Sequence, residues 1–132
     1  MPCRLVLIIV LFLAGAARAD PVEDLAAGAD AYSRGDYAVA AQWFRKSADQ
    51  GNATAQDSLG VMYVNGEGVP QDYVQAYAWF TLAAANVPEA DQPWHARLDR
   101  FRNEITANMT AAQIADAQKL TREWTPPSRT AP

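Results

Sequence analysis

Residues 55–85 read AQDSLGVMYVNGEGVPQDYVQAYAWFTLAAA, and a worn copy of this pattern precedes it in the chain. Tyr32 and Gly35 return as Tyr63 and Gly66 at a spacing of 31 residues. Asp36, Tyr37, Ala40, Trp43, Phe44 and Ala48 return as Asp72, Tyr73, Ala76, Trp79, Phe80 and Ala84 at a spacing of 36. The difference is a longer loop inside the second copy. Self-similarity at this period marks helix pairs that cannot bury their apolar faces alone and must stack on neighbours. Within the second copy, Tyr73, Ala76, Phe80 and Ala83 or Ala84 fall three or four positions apart, which puts them on one stripe of a helix. Gly60 sits in mid-helix, at a cost of about 1 kcal/mol relative to alanine. A close crossing of the two helices of the unit is the compensation expected there.

Composition carries the helical reading to the rest of the chain. Beyond residue 19 there are 23 alanines against only 7 leucines and isoleucines, with 12 aromatic residues. Alanine favours helix and lets axes approach, so the aromatics must supply most of the core volume. Strands would need many more β-branched residues in alternation. The expected fold is all-α, a short α-solenoid of about six helices. Asp20-Pro21 opens the first, which Gly35 stops; Asp36 opens the second, which ends at Gly51. Asn52 opens the third and Asp72 the fourth, with the loop 66–71 between them. A fifth begins near Pro93, with Trp94, Leu98, Phe101 and Ile105 on one face. A sixth follows Thr110 and Gln113, a capping-box pair, with Ile114, Ala117, Leu120 and Trp124 as its stripe. The expected organisation is a signal segment over 1–19, a degenerate first repeat over 20–52, a second repeat over 53–87, a capping helix pair over 88–124 and a disordered Pro-rich tail over 125–132.

The stretch 55–85 resembles a Sel1-like repeat, a relative of the tetratricopeptide repeat. The resemblance is carried by Ala55, Leu59, Gly60, Tyr63, Gly66, Gly68, Val69, Asp72, Ala76, Trp79, Ala83 and Ala84. Residues 25–52 resemble a shorter copy with a tighter turn, in which Gly28 and Ala29 stand where the second copy has Leu59 and Gly60. Residues 93–124 are similar to the C-terminal part of small secreted bacterial proteins of this kind. The resemblance implies a protein-interaction scaffold without catalytic residues, in which the first helix of each unit lines a concave face. On that geometry the partner-facing positions are Glu23, Asp30, Ser33 and Arg34 in the first unit, and Thr54, Asp57, Val61, Val64 and Asn65 in the second. Acids outnumber bases there, which suits a protein or peptide partner of some basic character.

Little else in the sequence suggests chemistry. Cys3 is the only cysteine and His95 the only histidine, so neither a thiol nucleophile nor a zinc site is expected, and no cofactor. Gly66-Glu67-Gly68 lacks the Gly-Lys-Ser/Thr that would complete a phosphate loop, and reads as a helix end plus a turn. The acid pairs Glu23/Asp24 and Glu89/Asp91 lie at helix starts, where the helix dipole favours them; a carboxylate-dependent hydrolase is the remote alternative. Arg97, Arg100 and Arg102 form one local basic cluster, read as a solvated face. Beyond residue 19 the chain has 9 bases against 15 acids, which argues against nucleic-acid partners. A structural accessory subunit of an envelope complex is the other alternative, and pairing into a homodimer is compatible with so short a stack.

Residues 1–19 follow the three-part plan of a secretory signal. A cationic start reaches Arg4, nine apolar residues run from Leu5 to Leu13, and Ala17 and Ala19 are small residues before the expected cut. The apolar run is shorter than the roughly 20 residues a membrane-spanning helix needs. A periplasmic or secreted protein without stable membrane insertion is expected. Intact-mass measurement of the protein recovered from cells should therefore give a chain starting at Asp20; a mass that retains residues 1–19 would mean an uncleaved anchor.

Overall fold

The computed structural model describes residues 20–124, so the signal segment and the Pro-rich tail lie outside the described residues. Six helices follow one another: α1 (Pro21–Ser33), α2 (Tyr37–Asp49), α3 (Ala53–Asn65), α4 (Tyr73–Asn86), α5 (Gln92–Thr106) and α6 (Ala111–Glu123). No strand occurs among the described residues. Most helix starts follow from the capping oxygens. Asp20 accepts the Val22 amide at 2.9 Å, Asn52 that of Ala55 at 2.9 Å, and Asp72 those of Val74 and Gln75 at 2.9 and 3.1 Å. Asp91 accepts the Trp94 amide, which starts α5 at Gln92, and Thr110 and Gln113 close a reciprocal capping box. Asp36 differs from expectation. It makes no side-chain cap and lies 3.6 Å from Arg34 across the tight turn instead.

α1 packs along α2, and α3 along α4, as two helix pairs joined by the contact of α2 with α3. Each pair meets at a glycine under a phenylalanine ring. A Cβ on Gly60 would lie 2.4 Å from the Phe80 ring, and one on Gly28 would lie 2.6 Å from the Phe44 ring. Both rings are buried, Phe80 being 1% exposed. Around them Ala40, Ala48, Ala55, Ala76 and Ala83 have no exposed surface, so the helices approach over small residues and the rings fill what remains. The first unit's register therefore differs from the one its tyrosine suggests. Gly28 takes the place of Gly60, a spacing of 32 rather than the 31 that relates Tyr32 to Tyr63. Gly28 is thus not a weak point in α1 but its crossing position.

The loop 66–71 ties the units together. Gly66 (φ 67°) closes α3 in the left-handed region that glycine adopts without strain. Gly68 (φ 70°) presses so closely on α2 that a Cβ would meet the Tyr37 carbonyl at 2.3 Å. Between them Glu67 accepts a hydrogen bond from the Tyr32 hydroxyl at 2.8 Å, and Asn65 donates to its other oxygen at 2.8 Å. The extra residues of the second unit are a clasp on the first.

The last two helices do not repeat the arrangement. Both α5 and α6 pack on α4, and they do not run along each other as the capping pair expected over 88–124 would. α5 buries Leu98 and Ile105 against α4, with Trp94 and Phe101 partly buried beside them. α6 buries only Ala117, Leu120 staying 39% exposed, while Trp124 reaches the core of the first pairs. No glycine lies on either helix, so no close crossing of the Gly28 and Gly60 kind is available.

Alanine for glycine usually stabilises a helix interior, by about 1 kcal/mol. At Gly60 the sign should reverse. Displacing the Phe80 ring costs about 1–3 kcal/mol as overpacking does elsewhere, so urea denaturation of Gly60→Ala should show a net loss of stability, and Gly28→Ala the same through Phe44. A gain at either position would contradict the close crossing.

Candidate functional site

The first helices of the three successive segments, α1, α3 and α5, face a common groove of about 450 Å³. α1 contributes Ala29 and Tyr32, α3 contributes Thr54, Asp57, Ser58 and Val61, and α5 contributes Trp94, Arg97 and Phe101, with the buried Phe44 of α2 beneath them. A smaller recess of about 230 Å³ continues from it between α3, α4 and α5, bounded by Val61, Val64, Asn65, Phe80, Phe101, Glu104 and Ile105. Val61 and Phe101 border both. The Phe80 and Phe101 rings lie 5.3 Å apart and form the recess's aromatic wall.

One polar contact ties α5 to α3 across the groove. Asp57 has a side chain only 8% exposed. Its Oδ2 accepts the indole N–H of Trp94 at 3.0 Å and a hydrogen bond from the Arg97 guanidinium. Arg97 remains about half exposed and also lies 5.9 Å from the centre of the Phe101 ring. A buried carboxylate must find such partners or lose the solvation it gave up. Asp57 is therefore first a strut between α3 and α5.

The residues expected to face a partner divide into two sets. Thr54, Asp57 and Val61 line the groove, and Val61, Val64 and Asn65 line its recess. Glu23, Asp30, Ser33 and Arg34 are exposed on α1 but border neither, and Arg34 pairs with Asp30 along the helix surface. At the spacing of 32 that relates Gly28 to Gly60, Val61 corresponds to Ala29 and Val64 to Tyr32, and these are the α1 residues that line the groove. The contribution of α5 was not anticipated. Trp94 and Phe101 read as core at helical spacing, and Arg97 as part of a solvated cluster; nothing local in the sequence marks the Asp57 contact, 40 residues away from Arg97.

The remaining polar groups are occupied locally. Ser58 donates to the Thr54 carbonyl at 2.8 Å, a bond within its own helix and not toward a base. The hydrogen bond to Glu67, with burial and the negative charge of that carboxylate adding to it, holds the Tyr32 phenol above its ordinary value. Asp24 is buried and joins α1 to α2 through Lys46 at 3.5 Å and Gln50 at 3.2 Å. Asp91 caps α5, and His95 lies 3.3 Å from the Pro88 carbonyl. The described residues include no group of three or more His, Cys, Asp or Glu placed to hold a metal. No helix among them is long and apolar enough to cross a membrane.

Stacked helix pairs with a groove along their first helices define a short α-solenoid of the tetratricopeptide kind. The family model for the Sel1 repeat matches residues 25–52 and 53–86, so the chain carries two Sel1 repeats. Its structure is similar to the crystal structure of a protective antigen present in uropathogenic Escherichia coli strains that displays an SLR fold. The TM-score is 0.69 at 33% identity, covering 83% of this chain and 23% of that one, so this chain spans under a quarter of its neighbour's length. No curated protein matches the sequence. Repeats of this family generally serve as protein-interaction scaffolds.

Replacing Asp57 with alanine should release α5. The Trp94 N–H then lacks its acceptor while Arg97 returns to water, a loss of about 1–2 kcal/mol once the exposure of Arg97 is allowed for. Hydrogen exchange should show protection falling in residues 92–106 and not in α1 or α2; an unchanged α5 would remove the strut from the account.

Proposed function

We propose that this protein is a non-catalytic adaptor of the bacterial cell envelope that docks a protein or peptide partner in the groove along α1, α3 and α5. The observation that carries this reading is the groove itself. Its walls are mostly aromatic and apolar, it is within the size range of ligand sites, and its two charged groups, Asp57 and Arg97, contact each other. Two Sel1 repeats beneath it support a role in contact with proteins. The signal-like pattern of residues 1–19 supports an exported protein. A basic partner, which the acids of α1 and α3 suggested, is less well supported, because Asp57 is neutralised by Arg97 and the α1 acids lie outside the groove.

The reading is tested by photo-crosslinking in the envelope. A crosslinker placed at Thr54, exposed at the groove, should trap a partner that a crosslinker at Val39, 44% exposed on α2, does not. With that partner purified, Val61→Arg should weaken binding by at least about tenfold by filling the groove. Capture from Val39 alone, with Val61→Arg binding normally, would place the interaction on another face.

A further inference from the structure

The two charged groups that line the groove, Asp57 and Arg97, are each only half used. Both contacts made by Asp57 are to Oδ2. Its Oδ1 makes no hydrogen bond among the described residues and is not fully buried, and Asp57 lines the groove. Arg97 engages Asp57 through one terminal nitrogen, leaving its other N–H groups free on a half-exposed side chain that lines the same groove. A free acceptor thus lies beside free donors, and the pair carries no net charge.

We propose that this pair recognises the main chain of an extended, uncharged, apolar segment of the partner. Asp57 Oδ1 accepts a backbone N–H, Arg97 donates to a neighbouring carbonyl, and a bulky apolar side chain enters the recess between Val61, Phe80 and Phe101. This rests on the groove being the docking site and adds what it selects. Charge complementarity decides the occupant. A cation entering here competes with Arg97 for Asp57 and is repelled by Arg97, while an anion meets the buried Asp57 carboxylate. A peptide group, a donor beside an acceptor with no net charge, satisfies both without separating them. The remaining lining favours the same segment, since Ala29, Tyr32, Phe44, Val61, Trp94 and Phe101 surround the pair with apolar surface.

Calorimetry of the purified protein tests this with four blocked nonapeptides. The first carries two leucines in a serine and glycine host; in the second and third the leucines become lysines or glutamates; the fourth is the leucine peptide with alternate amides N-methylated. The leucine peptide should bind, and N-methylation should weaken it by about tenfold, the scale of a lost hydrogen bond to a charged group. The lysine and glutamate peptides should be weaker still. Thr54→Arg, at an exposed groove position where folding is not at stake, should reduce binding of the leucine peptide, and a melting curve verifies the fold of Val61→Arg before it is used the same way. Equal binding of the N-methylated peptide, or preference for either charged peptide, overturns main-chain recognition. If no peptide binds while the crosslinked partner remains sensitive to Val61→Arg, the groove stands and this proposal falls. If the partner is insensitive as well, both fall.

Discussion

Two glycines under two phenylalanine rings set the distance between the helices of each pair, and the remaining geometry follows from that distance. With Gly28 beneath Phe44 and Gly60 beneath Phe80, the axes come close enough for alanines to fill the rest of the seam. A chain with so few leucines and isoleucines could not build a core at ordinary helix separation without leaving voids. Close approach turns a small-residue composition into a packed interior. It also places the buried Phe44 and Phe80 rings beneath the groove and its recess. The contact that closes the pairs therefore also underlies the site.

Stacking of one pair on the next needs more than this seam, because the two units are not related by an equal loop. The second unit's longer loop has its own use. Gly68 lies against the backbone at the start of α2, and Glu67 takes the Tyr32 hydroxyl, so the insertion fastens the unit that precedes it. A polar clasp across the interface of the two repeats limits slippage between them. Tyr32 belongs to both arrangements, its hydroxyl in the clasp and its side chain on the groove wall.

Much of the fold was legible because its signals are local. Asp20, Asn52, Asp72 and Thr110 announce helix starts within three residues of the amides they bind, and the paired Trp-Phe motifs at 43–44 and 79–80 reveal the repeat. Where the reading slipped, two local signals competed. Tyr32 and Tyr63 suggest a spacing of 31, but the packing of glycine against ring obeys 32, and Ala29 and Tyr32, not Glu23, Asp30, Ser33 or Arg34, line the groove from α1. The departure of α5 and α6 from pair geometry had no repeat to betray it. Their stripes of Trp94, Leu98, Phe101 and Ile105 and of Ile114, Ala117, Leu120 and Trp124 are equally compatible with packing on each other or on α4. The site was half visible for the same reason: α3's inner face follows from the repeat, whereas α5's contribution depends on where that helix comes to rest.

Asp57 shows why a list of exposed acids does not describe the chemistry of such a face. Taken alone it is a carboxylate on the inner side of α3, and a basic partner follows. In place, it is buried, bound by Trp94 and Arg97, and its charge is spent on positioning α5. What it still offers a ligand is one oxygen, beside the unused edge of the cation that neutralises it. The arrangement exchanges long-range attraction, which salt screens and which many basic proteins would share, for short-range hydrogen bonds that require a correctly placed peptide group. Selectivity then passes to the recess beyond Val61, where the size and apolarity of one side chain decide whether the partly buried Phe101 is covered. A charge reversal at Asp57 would consequently report on the position of α5 as much as on any partner, whereas a bulky substitution at the half-buried Val61, which makes no polar contact between helices, reports on occupancy of the groove once its fold is verified.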